Sequence, residues 1–405
     1  MEKPQLLFSG FDGPPELEPV IAHESTETGW RGLCLDGEVY EVHSQNGHPA
    51  KVPEGEIVVT SKGKTIGRRV IIDPPASIDI RTYLEKFNAA VVSYKYNDLA
   101  AALALADEAV ALAPTLRARF NHAMILLASG NWREGFKEYL QLEEKPPFIR
   151  PQVEEALAAG LRMWQGENLN GKRILVLHAH GAGDTIQSLR YIPTLQSMGA
   201  EVLMRVPHEL VSLAAQLGTV STESVKLIEC DYFVPILHLF GRLYVSPDSP
   251  VDAPYLTVKP DRIKKWQDKL RVGNPDRKLT GIAWSVGLPS IGDYPREAPL
   301  EQLTETLTGE LHSVQVQNAD EARRFGVNAH EFEDFEDCAA LMLCLDEVVT
   351  VDTAAVHLAG AIGHPNVKLL LSKWASWRWV KNWYGNVKIC RQTSEGNWAS
   401  ALAQC

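Results

Sequence analysis

The sequence predicts an α/β protein: two successive layers of parallel-sheet character, preceded by a short helical segment and a small N-terminal β module. Three observations carry this. The stretch Lys172 to Tyr191, KRILVLHAHGAGDTIQSLRY, joins a continuous apolar run at Arg173–Leu177 to a glycine turn. Apolar residues at Ile186, Leu189, Tyr191, Ile192 and Leu195 then suit a helix. The stretch Val348 to Ala361, VVTVDTAAVHLAGA, repeats the phrase of strand, turn and helix. Between residues 97 and 146 a polar turn, a helix and a proline recur about 34 residues apart.

Length and composition bound the reading. A chain of 405 residues has room for two or three domains with a large core. Charged residues at 22% and hydrophobic residues at 45% are ordinary for a globular protein. A net charge of -11 disfavours nucleic acid as a partner bound through bulk electrostatics, while a local basic cleft can still hold a phosphate. No basic start leads into an apolar core, and no apolar run approaches the ~20 residues of a membrane span. Cys34, Cys230, Cys338, Cys344, Cys390 and Cys405 form no CxxC pair, so reduced structural thiols and a cytoplasmic location are expected.

In chain order, residues 1–75 read as a β-rich accessory module. Short alternating pieces at Glu38–Val42, Glu56–Thr60 and Arg69–Ile72 suggest antiparallel strands, and Pro74-Pro75 marks a boundary. Residues 76–150 read as helical: one helix from Asn97 to Leu112, a second stopping at Gly130, and a third opening at Asn131. The segment either spaces its neighbours or binds a polypeptide. Residues 151–260 form the first α/β layer. A linking helix at Val153–Met163 precedes strands at Arg173–Leu177, Glu201–Val206, Val225–Ile228 and Asp231–Val234, with a helix at Glu209–Leu217. Residues 261–405 form the second. Strands are expected at Leu279–Trp284, His312–Gln317, Glu347–Val351 and Val367–Leu371, the last clear one. Helices are expected at Leu300–Leu307, Ala319–Phe325, Glu336–Cys344 and Thr353–Ile362. The charges from Glu331 to Asp337 read as a solvated loop. Two such layers imply a cleft along the C-terminal ends of their strands.

Two turns carry residues with chemistry in them. A strand, glycine turn and helix place backbone N–H groups and a helix N-terminus at a sheet edge, where anions bind. Asp184 is either a reactive carboxylate at that edge or the N-cap of the helix. At the second turn Thr353 and the first helical N–H groups can hold a diphosphate, with His357 one turn further along. A lone histidine in an apolar helix is usually a core residue; its company with Asp352 and Thr353 favours a site. Trp374, Trp377, Trp379, Trp383 and Trp398 can either stack on a ligand or pack the C-terminal segment across the first layer. The spacing of Cys338 and Cys344 is not that of a metal site.

The runs ILVLHAHGAGDTIQSLRYIPTL and VDTAAVHLAGAIGHP resemble the glycosyltransferase family 9 (heptosyltransferase-like) domain, in the form found downstream of tetratricopeptide repeats. Matches in the same order are Met163-Trp164-Gln165-Gly166, Gly281-Ile282-Ala283-Trp284-Ser285, Arg296, Asp334 to Leu341, Trp377-Arg378-Trp379, Trp383-Tyr384 and Arg391-Gln392. The resemblance covers residues 163 to 402, with weaker support from 97 to 146. It implies two Rossmann-like domains of the GT-B type and a nucleotide diphosphate sugar as donor, with no cofactor and no required metal. Asp184 matches the family's general base. Asp352, Thr353, Ala354 and His357 match its diphosphate-side motif, and Gly181, Gly183, Ser285 and Arg296 are further donor-binding candidates. His178-Ala179-His180 and Ala354 depart from the family's pattern, which favours Gly at the latter position.

The function so implied is inverting, metal-independent sugar transfer to an acceptor hydroxyl. Two alternatives differ in class: a non-catalytic scaffold that keeps the two-domain fold, and a nucleotide-sugar epimerase or hydrolase. The acceptor is open among glycan, protein, small molecule and nucleic acid base, with the helical segment favouring a polypeptide.

Overall fold

A computed structural model describes residues 17–26, 29–34, 39–43, 56–61 and 64–77 as backbone strands. It describes 79–143, 149–221, 228–245, 253–270, 276–286, 296–315, 317–373 and 377–405 with their side chains. The chain divides into two units: Met1–Ile149 with Trp374–Val380, and Arg150–Lys373 with Lys381–Cys405.

The first unit opens with β1 (Leu17–Thr26), β2 (Gly29–Cys34), β3 (Val39–His43), β4 (Glu56–Ser61) and β5 (Lys64–Ser77) in the order β3-β2-β1-β5-β4. The expected antiparallel module is a mixed sheet, because β1 and β5 pair in parallel. Pro74-Pro75 does not end the sheet either. The β1–β5 register passes from Val20↔Ile71 to Ala22↔Ala76, so the prolines fall in a bulge where no ladder N–H is needed. Helices α1 (Ile80–Lys95), α2 (Leu99–Leu112), α3 (Leu116–Ala128) and α4 (Trp132–Glu143) follow. Asp79, Asp98 and Thr115 cap the first three, each accepting an N–H three residues on. Gly130 ends α3 with a φ of 82°. Trp377 packs edge-on against Phe136 of α4, with ring centroids 5.6 Å apart.

The second unit holds two Rossmann-like halves. Its first half contains α5 (Pro151–Ala158), β6 (Arg173–Leu177), α6 (Ala182–Leu189), α7 (Ile192–Ser197) and β7 (Glu201–Arg205). It continues with α8 (Val211–Ala214), β8 (Thr219–Val220), β9 (Tyr232–Pro235) and α9 (Leu239–Arg242). The strands are parallel in the order β8-β7-β6-β9. α5 stops short of Met163, which makes a bridge to Phe233 at the sheet edge instead. The helix expected at Glu209–Leu217 is a 3₁₀ turn and the single turn of α8. Most of the strand expected at Val225–Ile228 lies outside the described residues, and β8 forms the edge beside β7.

After α10 (Pro260–Leu270), the second half contains β10 (Leu279–Ala283), α11 (Leu300–Thr306), β11 (Glu310–Ser313), α12 (Ala319–Arg324) and α13 (Phe335–Met342). It ends with β12 (Glu347–Val351), α14 (Ala354–Ala361), β13 (Val367–Leu371), β14 (Val387–Arg391) and α15 (Trp398–Leu402). These strands are parallel in the order β11-β10-β12-β13-β14. β13 is therefore not the last strand. β11 starts two residues before the expected His312 and ends at Ser313.

In both sheets the chain reverses its direction of growth beside one strand pair, β6/β9 in the first and β10/β12 in the second. Ligands bind outside such reversal points, at the C-terminal ends of the strands. The loops leaving β6, β10 and β12 carry the residues singled out above.

The charged run at Glu331 to Asp337 is not a solvated loop. Glu336 and Asp337 are buried; Arg262 of α10 clamps Asp334 with bonds of 2.6 and 3.1 Å, and the Trp266 indole donates to Asp337 at 2.8 Å. Next to this cluster, His312 and His330 share a 3.0 Å hydrogen bond. Burial pushes both imidazoles down to about 4, with help from Arg277 and Lys269 at His312 and from His312 and Lys269 at His330. Above the ordinary value of 6.5 the rings are neutral whether the chain is folded or not, so nothing is lost. As pH falls from there towards 4, the unfolded chain takes up the protons before the folded one, and stability drops. Urea unfolding at pH 7 and pH 5 measures the loss, and His330→Phe should reduce it. Equal losses in variant and wild type would remove the pair as the cause.

Candidate active site

The loop after β6 forms the first side of the site. Gly181, not Asp184, is the N-cap of α6, and Asp184 is the third residue of the helix, in the positive first turn. An ideal Cβ on exposed Gly181 would lie 3.7 Å from Asp184 Oδ2, so the carboxylate lies back over the start of the helix. Thr185 donates its hydroxyl to the Gly181 carbonyl at 3.2 Å, which makes His178 Nδ1 the donor in its 2.9 Å bond to Thr185 Oγ1. Burial and the neighbouring His180 lower the His178 pKa, while Asp184 and Glu209 oppose them.

The second side is the end of β12. Asp352 is nearly buried, and its carbonyl accepts from Arg296 Nη1 at 3.3 Å. Thr353 is the N-cap of α14, accepting the Ala355 N–H at 3.2 Å. Because Ala283 of β10 pairs with Thr350 of β12, the residues two further on, Ser285 and Asp352, come out at the same edge. The Ser285 hydroxyl oxygen accepts from the side-chain amides of Gln315 and Asn318, each at 2.8 Å.

The two sides meet at Gly183. An ideal Cβ there would lie 3.0 Å from His357 Cδ2 and 3.3 Å from the Cα of Ala354. A Cβ here would make its neighbours give by a few tenths of an ångström, so glycine suits the close approach of the first turns of α6 and α14. Two helix N-termini from different halves thus converge, with Asp184 on one and His357 on the other. Gly183, Ala354 and His357 are in direct contact; Asp352, Thr353 and Arg296 stand at the adjoining strand end. Ser285 belongs to the Gln315–Asn318 cluster, and Gly181 lies at the outer rim.

A set of residues given no role in the sequence reading supports this junction. Tyr384 Oη is 2.9 Å from His357 Nδ1. Arg190, buried between the halves, donates to the carbonyls of Gln187 and Trp383, both at 2.9 Å, and lies 4.4 Å above the Tyr384 ring. Tyr255 donates to the Ile186 carbonyl at 3.1 Å. The available signal was a charged residue at 190 inside the otherwise apolar run from Leu189 to Ile192. Trp377, Trp379, Trp383 and Trp398 are all buried, which favours packing over ligand stacking; Trp383 meets Phe240 of α9 edge-on at 5.1 Å. Trp374 lies outside the described residues. Among the described residues no group of three His, Cys, Asp or Glu side chains is placed to hold a metal ion. None of their helices is long and apolar enough to cross a membrane.

Fold and site together define an α/β protein of two Rossmann-like halves with a polar junction where two helix N-termini meet. No family model matches the chain. It is similar to Protein FlbA of Caulobacter vibrioides, 22% identical over 335 residues that cover 71% of this chain and 54% of FlbA. The chain thus spans about half the length of that relative. Among solved structures, the family 9 glycosyl transferase of Veillonella parvula superposes with a TM-score of 0.41 at 10% identity, covering 56% of this chain and 88% of its own. The E. coli ADP-heptose lipopolysaccharide heptosyltransferase II does so with a TM-score of 0.43 at 12% identity, covering 57% and 97%. An O-GlcNAc transferase variant of Thermobaculum terrenum covers 80% and 81% with a TM-score of 0.31 at 12% identity.

Proposed function

We propose that the protein is a glycosyltransferase that moves a sugar from a nucleotide diphosphate sugar to an acceptor hydroxyl, with inversion and without a required metal. The observation that carries this reading is the convergence at Gly183, where a carboxylate-bearing helix start in one half meets a histidine-bearing helix start in the other. In this reading Asp184 takes the proton of the acceptor hydroxyl as its oxygen bonds to the anomeric carbon. The bond from that carbon to the diphosphate oxygen breaks on the opposite face, which inverts the configuration. The departing diphosphate gains negative charge and lies against the N-terminus of α14, with Thr353, Ala354, His357 and Arg296 around it. Ser285 and Asp352 line the donor side; Gly181 and Gly183 shape the approach to the base. The helical segment of the first unit favours a polypeptide acceptor.

Thermal unfolding with ADP, GDP, UDP and CDP, each in EDTA and in magnesium, tests the donor half of this proposal. One nucleotide at a hundred times its dissociation constant should raise the melting temperature on the order of 5 °C, equally without metal. No rise with any of the four would sink the reading, and a rise only in magnesium would remove metal independence.

A further inference from the structure

Two thiols meet at the edge of the second half, away from the junction at Gly183. Cys390 is on β14, the edge strand of its sheet, and Cys405 follows α15, 15 positions further along the chain. The Cys405 thiol donates to Cys390 Sγ at 2.6 Å. Packing holds the two there. Cys390 is fully buried in one core cluster with Trp398, Ala401 and Leu402 of α15, and half-buried Cys405 packs against that cluster. Polar contacts fix the same alignment. The Gln404 side chain accepts the Arg391 N–H at 3.2 Å and donates to the Arg391 carbonyl at 2.6 Å, as a neighbouring strand would. Ser400 Oγ accepts the Thr393 N–H at 3.0 Å. The sulfurs are thus brought together by elements anchored on both sides of them. The hydrogen bond from Cys405 lowers the Cys390 pKa, and Lys388 and Lys368 add to it against burial. The same bond, together with burial, raises that of Cys405. As a pair they release a first proton readily and hold the second between the sulfurs.

We propose that Cys390 and Cys405 are a site of reversible covalent modification, closing to an intrachain disulfide by exchange with a small-molecule disulfide such as oxidised glutathione. A thiolate on half-exposed Cys405 attacks one sulfur of that molecule. Its S–S bond breaks, a mixed disulfide forms on Cys405, and one thiolate leaves. Cys390 then loses its proton to solvent and attacks Cys405 Sγ, which forms the Cys390–Cys405 bond and expels the second thiolate. Each leaving thiolate takes up a proton. Two electrons and two protons therefore pass from the cysteines to the oxidant, which departs as two thiols. In a reducing compartment the pair stands as thiols, and an oxidising one adds the bond. Once made, the bond ties α15 to the edge strand and closes a 15-position loop in the unfolded chain.

The test equilibrates the full chain in a series of glutathione buffers, from fully reduced to fully oxidised. Free thiols are then alkylated and disulfides mapped by mass spectrometry. Oxidation should remove Cys390 and Cys405 from the alkylated set together and yield one peptide pair joined between them, which dithiothreitol separates. The oxidised protein should melt on the order of 5 °C above the reduced one. Cys405→Ser changes the half-buried partner and spares the buried strand, and it should abolish both the cross-link and the rise. Cys230→Ser, at a second half-buried thiol, should leave both in place. Alkylation of both cysteines throughout the series would overturn the proposal, as would a cross-link from either of them to another cysteine. So would a Cys405→Ser protein that still gained the rise in melting temperature.

Discussion

Asp184→Asn is expected to lower sugar transfer by roughly 10²–10⁴-fold while leaving nucleotide-induced stabilisation nearly unchanged. Asparagine has the same shape and still accepts a hydrogen bond, but it cannot take the acceptor's proton at neutral pH. The residue also has a structural duty as a carboxylate in the first turn of α6, where its charge is worth about 0.3–1 kcal/mol to the helix. That contribution is too small to explain a loss of several hundredfold. The two roles therefore separate by magnitude: a structural effect shows as a slightly lower melting temperature, and a base shows as lost turnover in a folded protein. The assay is release of nucleoside diphosphate from the selected donor in the presence of acceptor. Turnover within a few-fold of wild type would take the base role from Asp184 and leave it a helix-start residue.

Gly360→Ala should be a strongly damaging single-methyl change. A Cβ there would lie 2.4 Å from Tyr384 Cδ1 and 2.7 Å from two further ring atoms, closer than real carbons come. Alanine gains about 1 kcal/mol in helix propensity over glycine. Overpacking costs typically 1–3 kcal/mol, and more where neither partner can move. Here the glycine is on a buried helix, and the tyrosine is held between His357 and Arg190. The steric cost should therefore win, with a net loss of about 2 kcal/mol and a fall of several degrees in melting temperature. Displacing Tyr384 also pulls its hydroxyl from His357, so nucleotide affinity should fall with it. Gly385→Ala is the control: nothing lies within 4 Å of its Cβ position, and its effect should stay within about 0.5 kcal/mol. A Gly360→Ala protein as stable as this control would contradict the packing described for Tyr384.

Central strands were easier to read from sequence than edge strands. β6, β10, β12 and β13 are buried along nearly their whole length and dominated by apolar residues, with single polar positions such as Thr280, Thr350 and Lys368 among them. β14 was missed because Lys388 and Arg391 leave only Val387, Ile389 and Cys390 as an apolar signal, where β13 keeps three consecutive leucines, and pairing with β13 makes Val387–Arg391 a strand. β8 is two residues long and exists through its bonds to β7. The charged run at 331–337 misled for a related reason. A carboxylate reads as exposed unless its partner is known, and Arg262 lies about seventy positions earlier on α10.

What the sequence by itself determined was each strand–turn–helix unit and the residues at its turn. Those depend on local causes: apolar periodicity, glycine in the loop, and a capping side chain a few residues from the N–H it accepts. Asp184, Asp352, Thr353 and His357 were legible in this way. Tertiary structure alone decided that the two turns touch at Gly183, and that Tyr384 and Arg190 stand behind His357. Arg190 and Trp383 are 193 positions apart and share a buried hydrogen bond. Nothing in the local pattern encodes such a contact, because packing between two separately formed halves brings the partners together.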